Sequence, residues 1–172
     1  EAASWMVSML PFATVVFAPI FGLLVDKIGH GTRWMLTGAV LALIAHLMLA
    51  FAPSGIPFYG YLSMVFLGFG YSLVPAAMWP SVPKIVPNKV LGTAYSLIYW
   101  VQNLGLMSFK MFAGKILADT NLDKGVSEAG AFWVEVMFVA VCVVALLLAL
   151  SLSVYSRRNP HLKMDVPDRA VK

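Results

Sequence analysis

The stretch "AFWVEVMFVAVCVVALLLALSLSVY", residues 131–155, contains a single charged side chain, Glu135. A helix needs about 20 consecutive apolar residues to cross roughly 30 Å of hydrocarbon. The whole chain has the same character, because 60% of its 172 residues are hydrophobic and only 12% are charged. Soluble domains average about 45–50% apolar and about 25% charged residues. The sequence therefore predicts a membrane protein.

Four further segments are long and apolar enough to cross a bilayer, which gives predicted spans at about 4–25, 33–52, 58–80, 90–116 and 131–155. Helices satisfy their own backbone hydrogen bonds in lipid, whereas a transmembrane barrel needs short segments of alternating polarity that this sequence lacks. The predicted fold class is all-α, with residues 1–156 as a transmembrane helical bundle and 157–172 as a basic tail. Because no initiator Met or signal peptide precedes the first span, we expect a fragment.

Basic residues are distributed unequally between the two sides of this predicted bundle. One side, with loops 26–32 and 81–89 and the tail, holds nine of them: Lys27, Arg33, Lys84, Lys89, Arg157, Arg158, Lys163, Arg169 and Lys172. The positive-inside rule therefore predicts that both loops and the tail are cytoplasmic. We expect the tail to be mobile and to meet anionic headgroups through Arg157 and Arg158. Nucleic-acid binding is not expected, because the basic residues flank spans and form no separate domain.

Polar side chains collect on one face of the predicted span 90–116. At 100° per residue, the strongly polar residues fall in a sector about 100° wide. They are Tyr95, Tyr99, Gln102, Asn103 and Lys110. A charged side chain in mid-bilayer costs at least about 2.5–3.5 kcal/mol, so we expect this face to line a water-accessible substrate pathway. The alternative is that the groups only make interhelical hydrogen bonds.

Two other spans contribute candidates. In span 58–80, Ser72 and Trp79 share a face with Pro75, which predicts part of the pathway and a cytoplasmic gate; a kinked packing helix is the alternative. In span 131–155, Glu135 lies at a depth that Lys110 reaches from the neighbouring span. An ion pair between Glu135 and Lys110 is one interpretation, and exposure of Glu135 at the interface is the other. His46 is interpreted as a neutral, hydrogen-bonded residue, with proton coupling as the alternative.

The loop "GLLVDKIGHGTR", residues 22–33, carries the most specific local pattern. Gly22 permits close approach of another helix, Gly29 permits a sharp turn, and Asp26 can face the positive N-terminus of a neighbouring helix. Lys27 and Arg33 supply compensating charge, so the loop can act as an electrostatic latch. The alternative is an ordinary basic turn that only fixes topology. The pattern resembles the signature loop of the major facilitator superfamily, G-x-x-x-D-[RK]-x-G followed by basic residues, with three residues inserted before Arg33.

That resemblance implies a twelve-helix transporter built from two six-helix halves. The five predicted spans would be spans eight to twelve, most of the C-terminal half, and the partner would be the missing N-terminal half. The run 72–106, with Trp79-Pro80, Leu91-Gly92-Thr93-Ala94-Tyr95 and Gln102-Asn103, is similar to the branch that contains lysosomal dipeptide transporters and their bacterial relatives. The resemblance implies secondary transport of small solutes by alternating access, with dipeptides as candidate substrates.

Other functions remain as alternatives. A superfamily transporter for organic anions, sugars or drugs, or a non-transporting membrane scaffold, fits the same span pattern. An enzyme is not expected, because the three histidines occur in no H-E-x-x-H motif and G-x-S-x-G is absent. No cofactor or metal is predicted. The expected partners are the lipid bilayer and a small-molecule substrate, and a bacterial inner membrane is expected rather than an organelle membrane.

Overall fold

The computed structural model describes residues 2–53, 56–120 and 128–167. These residues form five α-helices: α1 (Ala2–Ile28), α2 (Gly31–Phe51), α3 (Pro57–Ile85), α4 (Leu91–Thr120) and α5 (Glu128–Arg158). Short 3-10 turns occupy Asn88–Val90 and Pro160–Leu162. The predicted all-α fold is confirmed, since no strand occurs in the described ranges. Each helix begins and ends within a few residues of its predicted span.

Among the described residues, four helices are long and apolar enough to cross a membrane: Leu10–Ile28 within α1, and the whole of α2, α3 and α5. The fourth helix in the chain, α4, is 30 residues long but does not reach the same hydropathy. A helix of that length extends about 45 Å, more than the hydrocarbon thickness, so its composition and not its length sets it apart. The span predicted at 90–116 therefore stays a prediction, and the polar residues of α4 are the reason.

The centre of the bundle is α3, which packs against α1 and α2, while α2 also packs against α5. Small residues allow α2 and α3 to meet backbone to backbone. A Cβ added to Gly70 would lie 2.8 Å from the Gly38 carbonyl oxygen and 3.2 Å from the Ala42 nitrogen. Gly68 faces Ala13 of α1 in the same way, at 2.9 Å. Such small-residue contacts drive helix association in lipid, where burying apolar side chains gains little.

The loops 29–30 and 86–90 and the segment after α5 lie together at one end of the bundle, called the basic end below. The chain leaves α5 at Arg158, passes through the 3-10 turn, and returns to the start of α2. Met164 is buried at this return, with 3% of its surface exposed. The expectation of a mobile tail was therefore wrong for residues 159–167, which we call the return segment. The last five residues of the predicted tail lie outside the described residues.

The contact between α2 and α3 yields a stability prediction. Gly70→Ala would force its methyl group against the Gly38 carbonyl, and overpacking of this kind costs typically about 1–3 kcal/mol. We expect a lower melting temperature for the purified full-length protein in detergent. The matched control is Gly105→Ala in α4, where an added Cβ meets no described atom within 4 Å. Alanine is favoured over glycine in a helix, so the control should keep or raise the melting temperature. Equal losses in both variants would contradict the packing.

Candidate functional site

Three of the predicted pathway residues meet where α3 ends and α4 begins. The Trp79 and Tyr99 rings stack with centroids 4.8 Å apart and an interplanar angle of 28°. The Tyr95 ring lies 5.6 Å from Trp79, and its hydroxyl donates a hydrogen bond to the Trp79 carbonyl oxygen at 3.2 Å. We call these three residues the aromatic cluster. Separate helical wheels placed Tyr95 and Tyr99 on the polar face of α4 and Trp79 on a face of α3 with Ser72 and Pro75, and in the structure Trp79 contacts both tyrosines.

The hydrogen bond from Tyr95 has a cause in the sequence of α3. A helical carbonyl accepts from the N–H four residues later, but the residue four after Trp79 is Pro83, which has no N–H. The Trp79 carbonyl is therefore left without its helical donor, and the Tyr95 hydroxyl takes that place. A buried carbonyl without a partner costs more than an ordinary hydrogen bond contributes. The proline in α3 thus favours a contact with α4 at this position.

Farther along α4, three predicted pathway residues lie exposed: Gln102, Asn103 and Lys110. The Asn103 amide Nδ2 donates to the Tyr99 carbonyl at 2.8 Å, which leaves its oxygen Oδ1 as an acceptor. Exposure alone does not distinguish this face, because Met111 on the far side of α4 is 67% exposed. The distinction comes from the aromatic cluster, which turns the Tyr95 and Tyr99 side of α4 toward α3.

Ser72 does not join the aromatic cluster. Its side chain is fully buried, and its hydroxyl donates to the Gly68 carbonyl at 2.7 Å. The face of α3 that carries Ser72 also carries Gly68, which packs against Ala13 of α1. The structure therefore places Ser72 in helix packing, because bonding back to its own helix satisfies the hydroxyl without a partner from a pathway.

The loop between α1 and α2 forms the predicted tight turn. Gly29 has φ 73° and His30 has φ 60°, so two consecutive residues adopt the left-handed region. Lys27 and Arg33 are exposed and Asp26 is half-buried. Gly22 does not serve close helix approach within the described residues, since an added Cβ would meet no atom within 4 Å. Close approach occurs instead where α2 crosses α3.

The carboxylate at the N-terminus of α2 is Asp165, which the sequence reasoning missed. Asp165 accepts hydrogen bonds from the Thr32 backbone N–H at 2.9 Å, the Thr32 hydroxyl at 2.8 Å and the Ser156 hydroxyl at 2.7 Å. Asp26 was predicted to face a neighbouring helix N-terminus, and within the described bundle Asp165 serves this one. A signal was available, because the first turn of α2 has no acidic residue of its own to complement the helix dipole.

Glu135 takes His46 as its partner in place of Lys110. The His46 Nδ1 and Glu135 Oε2 atoms are 2.7 Å apart, and the Phe138 ring stacks on the imidazole with centroids 5.1 Å apart. The physical reason is helix adjacency, since α5 packs extensively along α2, while Lys110 is exposed on α4. His46 is thus a hydrogen-bonded helix residue, and its pair with Glu135 joins α2 to α5.

Comparisons with known proteins agree with these features. The family profile of the Major Facilitator Superfamily matches residues 1–171. The lysosomal dipeptide transporter MFSD1 of Mus musculus is 37% identical over 158 residues, covering 91% of this chain and 31% of the relative. The Homo sapiens protein of the same name is 36% identical over 157 residues, with the same coverage. The Bos taurus protein is 40% identical over 147 residues, covering 86% of this chain and 29% of the relative.

The chain spans about a third of the length of the curated relatives it matches. All three relatives are named as lysosomal proteins, so the expected preference for a bacterial inner membrane is not supported. The helical fold, the apolar helices and the profile match over nearly the whole chain point the same way. This chain belongs to the major facilitator superfamily and is part of a multi-pass membrane protein.

Proposed function

We propose that the chain forms part of a secondary transporter that moves short peptides across a membrane by alternating access. The relatives named as dipeptide transporters support this substrate class. The observation in the structure that carries the proposal is the aromatic cluster, which continues along α4 into Gln102, Asn103 and Lys110. The chain matches about a third of the length of each relative. In this proposal, further helices complete the transport path. The names of the relatives make a lysosomal membrane the first location to test.

The spacing of polar groups on α4 fits a dipeptide. An extended dipeptide is at most about 7 Å long, while the rise from Asn103 to Lys110 is about 10.5 Å along the helix. The flexible side chain of Lys110 covers the difference, so its ammonium group can meet a substrate carboxylate. The Asn103 Oδ1 atom accepts from the substrate amine or amide, and Gln102 offers both a donor and an acceptor. Each peptide group thus finds a complementary partner.

The aromatic cluster is suited to act as a gate at the basic end. Alternating access requires contacts at one end that form in one state and break in the other. Among the described residues, the aromatic cluster links α3 and α4 through two ring contacts and one neutral hydrogen bond. A neutral hydrogen bond contributes about 0.5–1.5 kcal/mol and an aromatic pair adds about 0.5–1.5 kcal/mol beyond its buried area. Thermal motion and substrate binding can overcome an interaction of this size.

The pathway assignment predicts a transport loss in Gln102→Ala and Asn103→Ala. Removing one hydrogen bond to the substrate should lower uptake efficiency by roughly 3–10-fold, since about 1.4 kcal/mol corresponds to tenfold. The measurement is uptake of labelled dipeptides into proteoliposomes that contain the full-length protein. Met111→Ala, an exposed apolar position on the far side of α4, is the matched control. Unchanged kinetics in both polar variants would remove the pathway assignment.

The gate predicts different outcomes for two tyrosine variants. Tyr95→Phe removes the donor to the Trp79 carbonyl, so we expect a lower melting temperature and a changed maximal uptake rate. Tyr99→Phe keeps the ring that stacks on Trp79, so its melting temperature should remain close to wild type. Thermal unfolding and uptake kinetics of the two full-length variants provide the comparison. Identical behaviour of the two variants would argue against the hydrogen bond as a gate contact.

Lys110 yields a prediction about the substrate carboxylate. Lys110→Gln should raise KM for a dipeptide with a free C-terminus by roughly tenfold, because a charge-assisted hydrogen bond contributes about 1.5–3 kcal/mol. The same variant should leave competition by the C-terminally amidated dipeptide unchanged. Uptake competition between the two peptides measures this difference. Inhibition by sugars or simple organic acids, with no effect of dipeptides, would favour another substrate class.

A further inference from the structure

We propose that the return segment, residues 159–167, is a clamp that holds the basic ends of α2, α3 and α5 together as one unit. In this proposal Asp165 is the positioning residue of the clamp, and α4 lies outside it. The clamp keeps three helices in fixed relation while α4 moves against them. The role of the clamp in transport rests on the proposed function, but its existence as a structural device does not.

Asp165 connects two helices that are distant in sequence. Thr32 begins α2 and Ser156 lies in the last turn of α5, and both are nearly buried, at 1% and 6% exposure. Their hydroxyl groups donate to the two carboxylate oxygens of Asp165, and the Thr32 backbone N–H donates to the first of these. The carboxylate also lies at the positive end of the α2 dipole. One side chain thus satisfies the start of one helix and the end of another.

The backbone of the return segment adds contacts to α3 and to the turn before α2. The His30 N–H donates to the Asp165 carbonyl oxygen at 2.8 Å. The Lys84 ammonium group, in the last turn of α3, donates to the Val166 carbonyl oxygen at 2.9 Å. The clamp therefore reaches the third helix through a cation at a helix C-terminus, where the dipole also favours positive charge.

The fit between the return segment and the signature loop leaves no room for a larger residue. A Cβ added to Gly29 would lie 2.6 Å from the Asp165 carbonyl oxygen and 2.8 Å from Pro167. A Cβ added to Gly31 would lie 3.3 Å from the Met164 carbonyl oxygen. Gly29 is thus constrained twice, by its positive φ and by the chain that lies against it. The return segment therefore packs against the signature loop, residues 22–33, at Gly29 and Gly31.

The contacts of the clamp exclude α4. In the described part of the chain, the Val166 N–H donates to the Lys163 carbonyl within the segment, and the other hydrogen bonds of Asp165 and Val166 go to the turn before α2 and to α2, α3 and α5. At the basic end, α4 is joined to α3 through the aromatic cluster instead. Two kinds of attachment therefore meet at one end of the bundle. At this end the clamp holds α2, α3 and α5 through charge-assisted bonds, and the neutral cluster joins α4 to α3, while α4 also packs against α5.

The clamp is set to persist across physiological pH. Burial raises the pKa of the Asp165 carboxyl, but hydrogen bonds from Ser156 and Thr32, with the nearby charge of His30, outweigh it and hold the pKa below its ordinary value. Lys84 also faces this segment. A lowered folded-state pKa stabilises the structure above the unfolded value of about 3.9 and loses that effect as pH falls through the folded value. The contribution of the Asp165 carboxylate should therefore be present above about pH 5.

The test is a double-mutant cycle on the full-length protein with Thr32→Val and Asp165→Ala. Each single variant should lower the melting temperature by a few degrees, and the double variant should lose no more than the larger single loss. Amide hydrogen exchange at residues 29–34, above all at Thr32, should become at least about tenfold faster in Asp165→Ala, because the Thr32 backbone N–H loses its side-chain acceptor. Asp119→Ala, an exposed carboxylate near the end of α4, is the matched control and should match wild type.

A milder variant keeps the test decisive if Asp165→Ala does not fold. Asp165→Asn retains one acceptor oxygen and loses the charge, so its exchange rate at residues 29–34 should lie between wild type and the alanine variant. Additive losses in the cycle, or unchanged exchange in both Asp165 variants, would overturn the clamp.

Transport supplies a separate arm of the test. Asp165→Asn should lower the maximal rate of dipeptide uptake without changing KM, because the clamp touches no predicted substrate residue. A changed KM at an unchanged maximal rate would contradict the rigid-unit role. Absence of dipeptide uptake by the wild-type protein would defeat the proposed function, while the exchange result would still judge the clamp.

Discussion

The backbone contact between α2 and α3 at Gly38 and Gly70 is the constraint on which the rest of the bundle depends. In lipid, apolar side chains gain little by leaving the solvent, so helices associate where their backbones approach closely. Glycine at both positions places each carbonyl against the other helix. With this crossing fixed, α1 can occupy one side of α3 and α5 can pack along α2. The basic ends of α2, α3 and α5 then lie close enough for the return segment to contact all three.

The same constraint explains why α4 differs from the other helices. None of its described residues is buried, and its attachment at the basic end rests on the aromatic cluster. Pro83 strengthens that attachment by removing the helical donor to the Trp79 carbonyl, so that Tyr95 supplies one. Pro83 removes one hydrogen bond from within α3 and thereby favours contact between α3 and α4. Pro83 thus affects the contact between two helices as well as the hydrogen bonding within α3.

The sequence predicted the helices well and their partners poorly. The spans predicted from hydropathy begin and end within a few residues of the five helices. The agreement is expected, because a span must be apolar over its whole length. The helical wheel gathered Tyr95 and Tyr99 on one face, but it contained no information that Trp79 would stack there. Glu135 shows the limit clearly. Its position near the start of α5 left both His46 and Lys110 as possible partners, and the packing of α5 along α2 decides for His46.

Asp165 was missed for a related physical reason. It lies 133 residues from Thr32, in a segment whose mixed charges and prolines are typical of mobile tails. Local propensity could not show that this segment folds back, because the groups that donate hydrogen bonds to Asp165 lie at the start of a distant helix. The absence of an acidic residue in the first turn of α2 was the one local sign that a carboxylate from elsewhere was needed.

Buried polar side chains in the described bundle have hydrogen-bond partners, whereas polar side chains of α4 lie exposed. Among the described residues, every buried side-chain nitrogen or oxygen has a hydrogen-bond partner. Ser63 and Ser81 bond back to their own helix, and His46 bonds to Glu135. Gln102 and Lys110 instead lie exposed on α4. Polar side chains need polar partners within a membrane, and this requirement is the physical reason for the transport path that we propose beside α4.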